Sequence, residues 1–252
     1  METAGAQSLG RAFTVLEILA KNAGAMALQD VAEASGLNKS TVHRLLSALT
    51  ELGYVKGSDG KYALTLKMFE IGSIPVSNMD ITAVARPYLE RLRDESQETV
   101  HLVVLDDCDI VYIQKLEPSS NTYRMASRIG MRRAAYCTAA GKSILSTMTD
   151  KQVRDIFEAS DVRAITDKTI TDIDALCLEL SAARQTGAAF DNEENEPGMR
   201  CIASPVRDYT GAARYAISVS APIVRMDDKK VRALIPLVCS AADGISKELG
   251  SK

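Results

Sequence analysis

Gly36–Leu64, GLNKSTVHRLLSALTELGYVKGSDGKYAL, is the stretch on which the reading of the N-terminal region turns. Gly36 suits a backbone turn with positive φ, and Asn38 is a good helix N-cap. Beyond it Val42, Leu45, Leu46 and Leu49 recur at helical spacing and form one apolar stripe. The polar positions Lys39, Ser40, Thr41, His43, Arg44 and Ser47 form a locally basic surface at the same helix's start and opposite face. Gly53 suits the position after the helix C-terminus. Tyr54-Val55-Lys56 and Lys61-Tyr62-Ala63-Leu64 then flank Gly57-Ser58-Asp59-Gly60, which predicts a β-hairpin.

Working back from Gly36, residues 28–34 predict a short helix with Leu28, Val31 and Ala32 inward. Residues 9–22 predict another, with Leu9, Ala12, Phe13, Leu16 and Leu19 on one apolar stripe. Two helices, a glycine turn, a helix with a basic face and a hairpin make a winged helix-turn-helix. Such a recognition helix presents its N-terminal residues to base edges in the major groove. Lys56 and Lys61 on the wing would reach phosphates, which position a protein without reading sequence. Lys39 and Arg44 also suit a plain solvated helix face, and the order of elements decides for DNA.

Charge alone does not announce this. The whole chain carries a formal charge of -3, and residues 1–75 hold seven Lys/Arg and seven Asp/Glu. Positive charge is therefore local, and affinity must be summed over more than one copy. The 252 residues are 46% hydrophobic and 25% charged, which excludes a disordered chain and leaves room for two domains. No apolar run approaches a membrane span, and the N-terminus lacks a signal pattern. The five cysteines, Cys108, Cys137, Cys177, Cys201 and Cys239, have no Cys-x-x-Cys spacing and are odd in number. A cytoplasmic protein with no disulfide framework, metal or cofactor is expected.

Working forward, Thr65–Ile71 predicts a short helix capped by Thr65 and ended by Gly72 and Pro75, with Val76-Ser77-Asn78 as a hinge. A longer helix follows from Asp80 to about Glu95, kinked or bounded by Pro87, and is a natural place for two chains to pair. From Thr99 the period changes to strands at Thr99–Leu105 and Ile110–Lys115, Thr122–Ile129, Ala188–Phe190, Met199–Val206 and Ala213–Ala221. Helices are expected at Thr138–Met148, Asp150–Glu158, Thr171–Gln185 and Asp227–Leu249. The domains expected are 1–75 for DNA binding, 76–98 as a linker and dimerisation helix, and 99–252 as an α/β sheet domain, α+β in class overall.

Six segments then carry a resemblance over nearly the whole chain: GLNKSTVHRLLSAL, GKYALTLKMFEIG, ETVHLVVLDD, RIGMRRAAYCTAAGKSIL, DNEENEPGMRCIASPV and ISVSAP. Their order and wording resemble the IclR family of regulators. YALTLKMFEIG and YRMASRIGMRR look most similar to its 2-keto-3-deoxygluconate repressor branch. The resemblance implies a winged helix-turn-helix, a GAF-like effector domain, operator DNA as partner, and a homodimer or dimer of dimers. It also implies a small organic acid effector held at Thr138, Ala139, Ala140 and Gly141 against Met125, with polar contacts from Asp191, Cys201, Ser218 and Ser220. This chain carries Ala139 where some relatives have glycine, and RRAAY where relatives usually have a proline.

The residues support such a site on their own terms. Thr138 can cap a helix whose first amides, on Ala139, Ala140 and Gly141, would seat a carboxylate. Ser218 and Ser220 stand two apart on a strand and share a face. In the acidic run Asp191–Glu196, Asp191 is expected to orient ligand hydroxyls and the rest to be a solvated loop; Arg128 is a further candidate charge partner. Two other readings remain. One is an enzyme with Cys201 or Cys137 as nucleophile and His101 as base, although no nucleophile elbow, P-loop or dinucleotide motif is present. The other is a DNA-binding protein without a ligand.

Overall fold

The structure is a computed structural model that describes residues 4–22, 24–77, 80–119 and 125–251. It divides into two compact units, Met1–Asn78 and Met79–Lys252.

The first unit runs α1 (Ala4–Lys21), β1 (Met26–Ala27), α2 (Leu28–Ser35), α3 (Lys39–Glu51), β2 (Val55–Ser58), β3 (Lys61–Leu64) and α4 (Lys67–Ser77). Gly36 ends α2 in the left-handed region at φ 65°, and the Asn38 side chain accepts from the Thr41 amide to start α3. Val31, Val42, Leu46 and Val55 are fully or almost fully enclosed in its core. Asp59 and Gly60 both have positive φ, the signature of a two-residue type I′ hairpin turn. The strands form a small antiparallel sheet in the order β1-β3-β2. β1, only two residues long, is too short to leave a periodic signal.

Two expectations for this unit are corrected. Leu9 and Phe13 are 60% and 53% exposed, because the buried face of α1 is instead built on Val15, Leu16 and Leu19. The helix α4 continues through Gly72 and Pro75 to Ser77, so Val76 and Ser77 are helical, and Asn78 lies outside the described residues.

The second unit runs α5 (Asp80–Ser96), β4 (Thr99–Asp106), β5 (Asp109–Leu116), β6 (Arg132–Ala134), a 3-10 turn (Ala135–Cys137), α6 (Ala139–Leu145), α7 (Asp150–Ala159), α8 (Ile173–Thr186), β7 (Ala189–Asn192), β8 (Met199–Arg207), β9 (Ala213–Pro222), a second 3-10 turn (Ile223–Arg225) and α9 (Asp228–Glu248). Six antiparallel strands form one sheet in the order β6-β5-β4-β9-β8-β7. Both faces are covered, which is why β4 and β9 read as near-continuous apolar runs. On one face α5 and α9 pack through Leu89, Leu92, Val238 and Ile245 onto Val100, Leu102, Ile217 and Val219. On the other, α6, α7 and α8 pack Ile144, Leu145, Val153, Leu176 and Leu180 against Val103, Ala203 and Ala216. Glu98, 2% exposed at its side chain, accepts from Arg225 at 2.7 Å and Lys230 at 2.6 Å and ties the start of β4 to the α9 side.

The helix expected as a linker and dimerisation element, α5, packs against α9 and β4 in the second unit and runs through Pro87 without ending there. The strand expected at Thr122–Ile129 falls partly outside the described residues, and its described part, Met125–Ile129, is irregular. The short edge strand β6 takes the place next to β5.

Candidate functional site

The first unit presents a polar surface on α3 and the hairpin. Lys39, Ser40, His43, Arg44 and Ser47 are all exposed on α3, while Thr41 is half-buried with its amide committed to the Asn38 cap. Ser40 Oγ donates to Asn38 Oδ1 at 2.8 Å, and Lys39 Nζ donates to Gln29 Oε1 at 3.2 Å. Lys56 and Lys61 are exposed on the wing. Lys56 pairs with Ala63 and Ser58 with Lys61, so both lysines lie on the face away from Val55, Tyr62 and Leu64, which pack on the core.

The second unit gathers the other candidates around one chamber on the α6 face of the sheet. Asp191 on β7 lies opposite Cys201 on β8, which lies opposite Ser220 on β9; two residues back, Ser218 lies opposite His101 on β4. Together with Met125, Thr138, Ala139 and Ala140 these residues line a cavity of about 30 Å³. Gly141 does not line it. The Gly141 amide is used by Thr138 Oγ1, at 3.2 Å, and a Cβ there would stand 2.2 Å from the Ala135 carbonyl oxygen. The missing side chain is what lets α6 start this close to the Ala135 backbone. Arg128 is exposed and does not line the chamber.

Sequence reasoning missed several lining residues: Tyr112, Ser127, Arg133, Asn195 and Glu196, and His101 in this role. His101 is enclosed, with Nε2 2.9 Å from Ser127 Oγ and its ring edge-on to Tyr112. Burial first, and the charge of Lys115 second, hold its imidazole down to about 3, so it is neutral at ordinary pH. Burial pushes the Asp191 carboxyl up to about 7; hydrogen bonding from the Glu194 amide opposes this, the Glu194 charge adds to it, and Lys142 opposes it. Burial also drives the Tyr112 hydroxyl and the Cys201 thiol well above their ordinary values. A thiol held protonated, in the same chamber as a histidine bonded to a serine, is a poor nucleophile.

The acidic run is not the solvated loop expected beyond Asp191. Glu194 is buried, because Lys142, fully enclosed on α6, donates to it at 2.6 Å and to Glu179 on α8 at 2.5 Å. Asp191 Oδ1 accepts from the amides of Glu194 and Asn195, and the hydroxyls of Thr166 and Thr169 hold the Glu193 and Glu194 carbonyls. The loop is thus fastened at the edge of the chamber.

A winged helix-turn-helix with an exposed basic recognition helix, followed by a sheet domain enclosing a polar chamber, defines a DNA-binding transcription regulator. The sequence matches the IclR helix-turn-helix domain over residues 8–58 and the bacterial transcriptional regulator IclR C-terminal domain over residues 74–247. The chain belongs to the IclR family. It is 37% identical to the DNA-binding transcriptional repressor YiaJ of Escherichia coli, over 98% of this chain and 89% of that one. It is 36% identical to the transcriptional regulator KdgR of the same species, over 96% of this chain and 92% of that one. The crystal structure of the Thermotoga maritima IclR matches with a TM-score of 0.79 and 31% identity, covering 97% of this chain and 99% of that one.

Proposed function

We propose that the protein is a repressor whose hold on operator DNA is set by a small organic acid bound in the chamber of the second unit. The observation that carries this reading is the convergence of Met125, Thr138, Ala139, Ala140, Asp191, Cys201, Ser218 and Ser220 on one buried space. Hydroxyls, small side chains, the Arg133 guanidinium and the two carboxyls of Asp191 and Glu196 on its lining suit a hydroxylated or keto acid. In the first unit Lys39, Ser40, Thr41, His43, Arg44 and Ser47 contact base edges and backbone, and Lys56 and Lys61 contact phosphates.

The chain works in the cytoplasm as a homodimer or dimer of dimers. Leu9 and Phe13 on α1, and Phe69 and Ile71 on α4, leave large apolar surfaces exposed, and a second copy is the occupant that would cover them. Paired recognition helices then call for a near-palindromic operator. The acid moves the equilibrium only if it binds the DNA-bound and free forms with different affinity. Catalysis forms no part of this reading, since burial keeps Cys201 protonated and His101 is bonded to Ser127.

The test is a band-shift titration of purified protein on the DNA upstream of its own gene, with and without a panel of sugar acids, beside thermal unfolding with the same acids. Binding of that DNA, altered by an acid that also raises the melting temperature, is expected. DNA binding unaffected by any acid would favour the ligand-independent reading.

A further inference from the structure

Two cavities share Arg133 and Asn195 in their linings. The inner chamber, at about 30 Å³, has room for roughly two water molecules. A space of that size suits a carboxylate group. The second cavity is an open, outer groove of about 820 Å³, walled by Arg132, Ala134, Tyr136, Ser160 and Ala164 among others.

The charges in these linings are unequally matched. Arg132, next to Arg133 on β6, is neutralised by Asp106 and Asp109 at 2.5 and 3.0 Å. Arg133 has no carboxylate partner among the described residues; its guanidinium donates only to the Arg132 carbonyl, at 3.0 Å. In the same two linings Asn195 Oδ1 is buried without a hydrogen-bond partner. A buried acceptor left unpaired costs free energy that a ligand donor would recover. Asp191 and Glu196 also line the inner chamber, and against them a guanidinium without a carboxylate partner and an orphaned amide oxygen, common to both linings, are complementary to an anion with a hydroxyl close beside it.

Resting on the effector reading above, we propose that the acid occupies both compartments. Its carboxylate fills the inner chamber under the Arg133 guanidinium, a neighbouring hydroxyl donates to Asn195 Oδ1, and its remaining hydroxylated carbons lie in the outer groove. The ligand class is a hydroxylated monocarboxylate longer than the chamber, and Arg133 is its specificity-determining residue.

Calorimetric titration of the full chain tests this with four probes: D-gluconate, hexanoate, sorbitol and glycolate. Gluconate should bind the wild type more tightly than hexanoate, and sorbitol should not bind. Arg133→Ala should weaken gluconate by about tenfold or more, the size of a lost charge-assisted hydrogen bond, and Arg133→Lys should recover part of it. Ala164→Trp, on an exposed position of the groove wall, should weaken gluconate and leave glycolate unchanged. Operator binding by each variant reports that it is folded. Equal gluconate affinity in wild type and Arg133→Ala, or an Ala164→Trp variant that binds gluconate normally, would overturn the two-compartment site and leave the effector reading standing. A wild type that binds neither gluconate, hexanoate nor glycolate would overturn the effector reading, and this inference with it.

Discussion

Glu194 Oε1 lies 2.6 Å from Lys142 Nζ, and the two side chains are 5% and 0% exposed. The pair fastens the β7–β8 loop, which borders the chamber, to the helix that follows Thr138. Removing one partner of a buried pair leaves the other charge unmet. Lys142→Met should therefore destabilise the second unit by about 3–5 kcal/mol, seen as a lowered unfolding midpoint in calorimetry. Adding Glu194→Gln to it should restore part of the loss. Glu179→Gln alone should cost less, since the Glu179 side chain is one-third exposed.

Asp191 gives the protein a pH dependence of defined sign. Its carboxyl is raised to about 7 from an ordinary value of 3.8, chiefly by burial. Between those values the folded state holds a proton that the unfolded state has lost, so stability falls as pH rises. The gap of about three pH units corresponds to roughly 4 kcal/mol as an upper bound. Denaturant unfolding from pH 4 to 8 should show this decline in the wild type and a flatter profile in Asp191→Asn. An anionic effector should bind more tightly below pH 7 than above it, because the ionised carboxylate would repel it.

Arg44 and Lys39 are exposed, so replacing them with alanine should leave stability within about 0.5 kcal/mol. Arg44→Ala should weaken operator binding while acid binding persists. If Lys56 and Lys61 touch phosphates, each alanine substitution should lower the salt dependence of DNA binding by about one counterion. Ser218→Ala with Ser220→Ala should give the opposite pattern, with DNA binding kept and acid binding weakened. Band-shift and calorimetric titrations on the same preparations separate the two.

Gly141→Ala should be poorly tolerated. The added methyl would stand 2.2 Å from the Ala135 carbonyl oxygen, so the 3-10 turn or α6 must move. A cost of about 1–3 kcal/mol is expected, with a lowered melting temperature as the readout and weaker acid binding following from the displaced Thr138.

The first unit was legible in the sequence because its signals are local. Gly36, Asn38 and the Val42–Leu49 stripe declare their helix within one window, and Asp59-Gly60 declares its turn. Where the window misled, partners were decided at a distance. Leu9 and Phe13 fit the helical period as well as Val15 does, yet only the side facing α2 and α3 is buried. In the chamber, Ser218 and Ser220 could be placed on one face by parity alone. His101 joins Ser218 only through the β4–β9 register, a pairing across more than a hundred residues that no local pattern encodes. Glu194 looked like solvated charge because its counter-ion, Lys142, is fifty-two positions away.

The two-residue turn of the hairpin at Asp59-Gly60 also sets a phase. With Ser58 directly across from Lys61, the amines of Lys56 and Lys61 emerge on the same side of the ribbon. A single residue slipped into that turn would shift the pairing by one step and rotate Lys61 inward, exchanging it with Tyr62. The loop length thus acts as a ruler for where paired positive charge can meet a sugar-phosphate strand, although neither Asp59 nor Gly60 need touch it.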